Sequence, residues 1–370
     1  MAAGARIADH ESQIALGRGH PHVAPDSLLR THGMVLHLFA ALVAASTLLL
    51  IFAGGLVTST GSGLAVPDWP NTYGWFMFSF PLDKMVGGIF YEHGHRLIAS
   101  TVGFLIVVLA IWLWRAEPRR WVRRLGFLAL AAVITQGILG GITVLWYLPD
   151  AISISHAGLA QLVLCLTVTI ALVTSRGWLR GYADGYGAIT PADRALQTIT
   201  AVTTTAIYIQ ILIGATMRHT EAGLAIPDFP LAFGHLVPTH WDAKIAVHFA
   251  HRLGALLVTT LILSTTARIL FHHRDRRELV RPAAMLCVLL AVQVTLGAYV
   301  IWTAKQFIIN SVHVATGGMV LGTSLVLTLR AYRSRFAAAG RAAQAEEPAY
   351  GYNATYIRRP DPNPSTGADA

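Results

Sequence analysis

The chain has 370 residues, of which 54% are hydrophobic and only 13% charged, too little charge to cover a soluble protein of this size. Its formal net charge of +9 comes from arginines gathered in a few short connections, so it is not read as a nucleic-acid signal. Uncharged apolar runs of about 20 residues span a bilayer's hydrocarbon core. Such runs cover residues 34–59, 94–114, 125–147, 152–175, 195–217, 245–267, 282–303 and 307–329, which predicts eight transmembrane helices.

In chain order, residues 1–33 lack apolar periodicity and are expected to form a disordered cytoplasmic N-terminus holding His10, His20, His22 and His32. The first run is too long, and starts too far in, for a cleaved signal peptide, so it counts as a span, with His37 early in it. A loop, GSGLAVPDWP from Gly61 to Pro70, leads to EHGHRL (Glu92 to Leu97) at the mouth of the second run. The next connection carries Arg115, Arg119, Arg120, Arg123 and Arg124. The third run contains Gln136 and Gly140, the fourth His156 and Cys165. Residues 176–194 are polar and turn-rich and read as a cytoplasmic linker.

After the linker the text begins again. EAGLAIPDFP (Glu221 to Pro230) follows the fifth run at a shift of 160 from the first loop, and HFAHRL (His248 to Leu253) opens the sixth at a shift of 156. Gln293, Gly297 and His313 echo Gln136, Gly140 and His156 at a shift of 157. The connection after the sixth run holds Arg268, Arg274, Arg276, Arg277 and Arg281, and Arg330, Arg333 and Arg335 follow the eighth. Residues 331–370, rich in Ala, Pro, Glu and Asn, are expected to be a disordered cytoplasmic tail.

Duplication at a near-constant offset predicts two copies of one unit. The fold class expected is therefore an all-α polytopic membrane protein, with eight transmembrane helices as two tandem parallel-repeat four-helix bundles, 34–175 and 195–330. Four spans per copy is an even number, so both copies enter the membrane in the same sense, related by an axis along its normal. The arginine-rich connections belong inside by the positive-inside rule. That predicts a multi-pass plasma-membrane protein with both termini cytoplasmic. Cys165 and Cys287 lie inside spans at unmatched positions and read as packing residues.

Topology sorts the 16 histidines. His272 and His273 fall in an arginine-rich loop and, with those before or early in the first run, read as solvated or interfacial. His93, His219, His235 and His240 have no repeat partner and are set aside as surface residues. His95, His156, His251 and His313 each fall within the first turns of an even-numbered span, so all four lie at one depth toward the outer face. An ionisable group inside a span usually faces the bundle interior with a partner. Four-helix bundles hold cofactors between facing helices. Bis-histidine ligation of haem iron is the economical assignment, His95 with His156 and His251 with His313. Zinc or a dinuclear site would want more carboxylates or thiolates than Glu92 alone supplies.

Glu92, three residues before His95 and on its helix face, stands where the second copy has His248. Two readings stand side by side: a carboxylate that moves protons or stabilises positive charge at the site, or a charge complementing the helix dipole. Arg96 and Arg252 follow the candidate ligands; they suit haem propionates, or they snorkel to the interface. Asp68 and Asp228, between proline and an aromatic, belong to loops expected to roof each site.

In these features the chain resembles the haem A synthase family. The matching features are two four-span copies, the TGSGLAVPDWP-type loop, Glu92–His95–Arg96 as E-x-x-H-R, HRLGA at His251, and single histidines at His156 and His313. The resemblance covers about residues 34–330. It implies an enzyme that oxidises the C8 methyl of haem O to a formyl group through hydroxylated intermediates, for haem-copper oxidase biogenesis. It further implies a resident haem b on His251 and His313. Substrate haem O would bind at His95 and His156, with Glu92 essential to catalysis. Haem O synthase is the implied partner, the electron acceptor is not identified, and a homo-oligomer is compatible with the pattern. Many bacterial members carry paired cysteines in the long outer loops; this chain has none there. The rival reading, a dihaem b-type electron-transfer protein, would usually place haems near both faces, whereas these histidines share one side. A parallel-repeat transporter would want a charged midplane site, which the spans lack.

Overall fold

The computed structural model of the protein describes residues 25–183 and 191–333. Much of the expected N-terminus and tail, with His10, His20 and His22, lies outside the described residues. Eight long helices form: Pro25–Ser59, Gly88–Ala116, Arg120–Leu145, Asp150–Val173, Pro191–His219, Ala243–His272, Arg277–Trp302 and Phe307–Ala331. All eight are long and apolar enough to cross a membrane, and they are called spans one to eight below. Only a helix or a closed barrel satisfies every backbone group within lipid, and among the described residues no strand forms. The protein is thus an all-α, multi-pass membrane protein.

The helices run longer than the apolar runs that predict them. The first begins at Pro25, inside the segment expected to be disordered, and a short helix, Arg176–Ala183, occupies much of the linker. The second begins at Gly88 rather than 94, so Glu92, His93 and His95 are already helical. Hydropathy undercounts here because the polar groups of this first stretch are satisfied by the preceding loop. Span six is capped by Asp242, whose carboxylate accepts from the Ile245 amide at 2.7 Å, and span eight by Gln306, which accepts from Ile309 at 2.8 Å.

Helix contacts close two rings, spans one to four and spans five to eight. The rings meet where span one packs on eight, four on five and four on eight. This pattern is unchanged when each span is exchanged with the one four later. The short outer turns match as well. Tyr147 and Leu148 have φ of 57° and 59°, and Ala304 and Lys305, at a shift of 157, have 50° and 65°. Leu148 donates to Thr143 at 2.7 Å and Lys305 to Val300 at 2.8 Å, closing both helix ends alike.

Aliphatic packing concentrates at one end of each ring. Ile106, Leu109, Leu113 and Ile170 fill the first, and Ile262, Ile269, Leu279 and Leu286 the second, all toward the arginine-rich ends. The opposite ends hold the four aligned histidines, His95, His156, His251 and His313.

Candidate functional site

Each of the four aligned histidines rests on a glycine of the preceding span. A methyl group at Gly54 would stand 3.1 Å from His95 Cε1, at Gly140 3.2 Å from His156 Cε1, at Gly214 2.9 Å from His251 Cε1, and at Gly297 3.2 Å from His313 Cε1. A side chain at any of these positions would press on the imidazole, most of all at Gly214, so glycine is what lets each ring approach its neighbour's backbone. Each histidine sits about two turns inside its helix, roughly 10 Å along the axis.

One turn before three of these glycines stands a glutamine, making Gln-x-x-x-Gly at Gln136, Gln210 and Gln293. Gln136 donates to the His156 carbonyl at 2.9 Å. Gln210 donates to the His251 carbonyl at 2.8 Å and lies 3.0 Å from its Nδ1. Gln293 Nε2 lies 3.4 Å from His313 Nε2. In span one that place is taken by Leu50. The repeated Gln136 and Gly140 are visible in the sequence, and the i,i+4 spacing beside each histidine is the signal that identifies them as its support.

The two long loops share one design. Asp68 accepts from the amides of Tyr73 and Gly74, both at 2.8 Å, and Asp228 from Phe233 and Gly234, both at 2.8 Å. Thr72 and Trp75 exchange two backbone hydrogen bonds, as do Ala232 and His235. The enclosed residues have positive φ, 49° and 77° in the first loop, 56° and 76° in the second. That is a two-residue type I′ turn held by a buttressing carboxylate. The amides of Gly234 and Phe233 hold the Asp228 carboxyl below its ordinary 3.8. For Asp68, partial burial acts the other way, but the Gly74 and Tyr73 amides outweigh it and its carboxyl is lowered too.

Arg96 and Arg252 fasten these loops, a role the sequence reading did not include. Arg96 Nη1 donates to the carbonyls of Asp68 (2.7 Å) and Asn71 (2.9 Å), and Nη2 to Val66 (2.9 Å) and Glu92 Oε1 (2.6 Å). All four of its terminal N–H bonds are engaged. Arg252 donates to the carbonyls of Leu231, Ile226 and Asp228. A loop that must cover an apolar bundle brings its carbonyls with it, and the neighbouring guanidinium satisfies them.

Glu92 is buried, 3% exposed, and both its oxygens are occupied. Oε2 accepts from the Val66 amide at 2.7 Å while Oε1 takes Arg96. In the second half His248 Nδ1 accepts from the equivalent Ile226 amide at 3.2 Å. Glu92 and His248 therefore do one mechanical job with different charge. The helix-dipole reading of Glu92 is replaced by a loop clasp.

Several histidines set aside earlier take part. His93 is buried and shares a hydrogen bond of 2.9 Å with Thr72. The corresponding pair in the second half is Ala232 and Phe249, both in an apolar cluster. This matched polar-for-apolar exchange between repeats was the available signal. His37, expected to be solvated or interfacial, has Nδ1 2.9 Å from the Ala171 carbonyl, and His273 is buried. His235 and His240 are exposed. Cys165 and Cys287 are free thiols, half-buried. At the seam, Arg218 donates to the Gly55 carbonyl (2.6 Å) and to Ser59 Oγ (2.7 Å), which also meets Asn310 and Ser311.

The donor set fits a porphyrin. Nδ1 of His95, His156 and His313 is buried without a partner among the described residues, a costly condition unless the ring is committed to another ligand. Among the described residues no three His, Cys, Asp or Glu side chains converge to cage a metal alone. A porphyrin would supply four ligands to its own iron and ask the protein for one or two. Trp69, whose ring would lie 2.7 Å from a methyl group on Gly141, sets an aromatic wall over the first bundle.

Comparison with known proteins points the same way. A sequence model of the family described as cytochrome oxidase assembly protein matches residues 37–325. The chain is 31% identical over 255 residues to the heme A synthase of Symbiobacterium thermophilum, covering 68% of this chain and 80% of that one. It is 28% identical over 315 residues to the heme A synthase of Geobacillus kaustophilus, covering 80% and 92%. With that of Alkalihalophilus pseudofirmus it shares 26% identity over 282 residues, covering 75% and 91%.

Proposed function

The chain belongs to the haem A synthase family of cytochrome oxidase assembly proteins, and on that premise we propose that it oxidises the C8 methyl of haem O to the formyl group of haem A. It is a haem-modifying oxidoreductase integral to a membrane. The observation that carries this reading is the doubled pair of glycine-seated imidazoles with a single carboxylate, Glu92, beside one pair and an imidazole, His248, beside the other.

In the assignment we favour, His95 and His156 hold the substrate haem in the first bundle, and His251 and His313 hold a resident haem b in the second. The chemistry a bound haem b adds is one-electron transfer. The protein's own residues do the rest. Four imidazoles at one depth would hold both haems toward the outer face, a reading supported by the arginine-rich connections, which assign themselves and both termini to the cytoplasm of a plasma-membrane protein. Asp68, Arg96 and Glu92 hold the first loop down, and Asp228, Arg252 and His248 the second, excluding water from the space beneath. Glu92 uses two of its roughly four lone-pair sites on the loop and Arg96. The others remain to stabilise positive charge and take up protons as the methyl group is oxidised. The substrate's insolubility makes haem O synthase the natural donor, by direct transfer.

Replacing Glu92 by histidine separates the two jobs. Glu92→His keeps an acceptor for the Val66 amide, as His248 provides in the second half, but removes the negative charge. Reverse-phase analysis of haems from membranes supplied with haem O should then show no haem A, with the second-half haem spectrum intact. Normal haem A formation by Glu92→His would show that Glu92 serves only the loop.

A further inference from the structure

The two long loops are alike as far as their turns and differ after them. The shift between repeats falls from 160 before the turns to 156 after them, so the first loop is four residues longer. Its longer stretch is aromatic, with Trp75, Phe76, Phe78 and Phe80 around Met77.

This stretch does not stay above span two. The Phe80 ring, 6% exposed, packs 5.0 Å from that of His93. Three residues earlier in the chain, Met77 Sδ lies 3.3 Å from Ser100 Oγ. His93 and Ser100 are two turns apart, about 10 Å along the helix axis, so the loop folds back down the side of the span. Ser100 is deeper than His95 and lies inside the apolar run that begins at residue 94. One turn of 3₁₀ helix, Met77–Ser79, forms the bend. Ser79 donates to the Phe76 carbonyl through both its amide (2.8 Å) and its hydroxyl (2.9 Å), pairing a backbone group where water is scarce.

The second half shows what this flap replaces. Leu253 and Leu256, the counterparts of Leu97 and Ser100, are 52% and 64% exposed on the bare side of span six. Leu97 and Ser100 are half-buried. The flap's own outward face is apolar again: Phe76 and Phe78 are 66% and 61% exposed, their rings 5.6 Å apart. Lys84 Nζ lies over the Trp75 ring at 5.5 Å, an ammonium and an indole of the kind that anchor at headgroup level.

We propose that Trp75–Phe80 is a flap seated in the leaflet at the histidine end of the bundle, with Phe76 and Phe78 turned to phospholipid acyl chains. Interfacial segments bury their apolar sides about 5–10 Å below the headgroups, a depth that the descent from His93 to Ser100 matches. On a water-facing surface such a patch would mark a protein docking site. Here it continues the lipid-facing side of span two, where Phe104, one turn beyond Ser100, is 67% exposed. The span that carries Glu92 and His95 is thereby covered on a side that the second half leaves bare.

The test uses the full-length protein in phosphatidylcholine nanodiscs, with Cys165→Ala and Cys287→Ala and a nitroxide on one new cysteine. Phe76→Cys and Phe78→Cys report on the flap, and Thr239→Cys, exposed in the second loop, is the reference. Collision with oxygen, which concentrates in lipid, and with a nickel chelate, which stays in water, gives each label's depth. Labels at 76 and 78 should meet oxygen more than nickel, at about 5–10 Å below the phosphates, and the label at 239 nickel more than oxygen. Each flap position decides the question by itself. Nickel contact at 76 and 78 equal to that at 239 would put the stretch in water and overturn the proposal. Shielding from both reagents would overturn it as well, by showing a protein surface rather than lipid on this face.

Discussion

A methyl group placed on Gly214 would meet His251 Cε1 at 2.9 Å, and that single distance explains why glycine stands there. Gly214→Ala should tilt the ring away from the bundle axis. The expected cost is about 1–3 kcal/mol of stability, with loss of the second-half haem measured as haem per protein. Full haem content in that variant would remove the glycine seat from the account. The same scale shows what the sequence hides. The four ligand candidates are legible because they repeat at fixed depth. The support for them is not, since Gln210 and Leu50 differ in chemistry and reveal their equivalence only when the repeats are laid over each other. The loop-fastening role of Arg96 is hidden for a physical reason: its partners are the backbone carbonyls of Val66, Asp68 and Asn71, which no residue pattern displays.

At the scale of elements, the duplicated loops behave as small rigid bodies. Each has a carboxylate accepting two amides, a type I′ turn and an arginine clamp. Because the Asp228 carboxyl is held below 3.8 in the folded loop, its contribution is present above that value and lost only as the pH falls through the lowered one. Hydrogen-exchange protection of the Phe233 and Gly234 amides should therefore persist across about pH 5 to 8. Asp228→Asn should weaken it, and unaltered protection would show that the turn stands without its carboxylate. The helices were legible in number and order, but their starts were not. Gly88 to His93 is too polar to count as a span by hydropathy, yet it is helical because Val66, Thr72 and Arg96 satisfy its side chains.

For the whole molecule, the seam between the rings decides whether two sites act as one protein. Small residues let the rings approach, as where a methyl group on Gly55 would stand 3.3 Å from Ser311. Arg218 ties span five to span one through Gly55 and Ser59. Arg218→Gln should lower stability by about 1–3 kcal/mol, read as a fall in the unfolding temperature in detergent. An unchanged temperature would mean that the tie contributes nothing. The duplication was plain in the sequence, whereas this tie was not, because Arg218 has no counterpart in the first half, where Thr58 stands in its place.

Haem content of the purified protein and its four single histidine variants, resolved by reverse-phase chromatography, tests most directly whether two imidazole pairs each grip a porphyrin. His251→Ala and His313→Ala should lose the resident haem b, while His95→Ala and His156→Ala should retain it and lose bound haem O and haem A. Wild-type haem content in all four variants, or equal loss of every haem from each, would contradict the pairing.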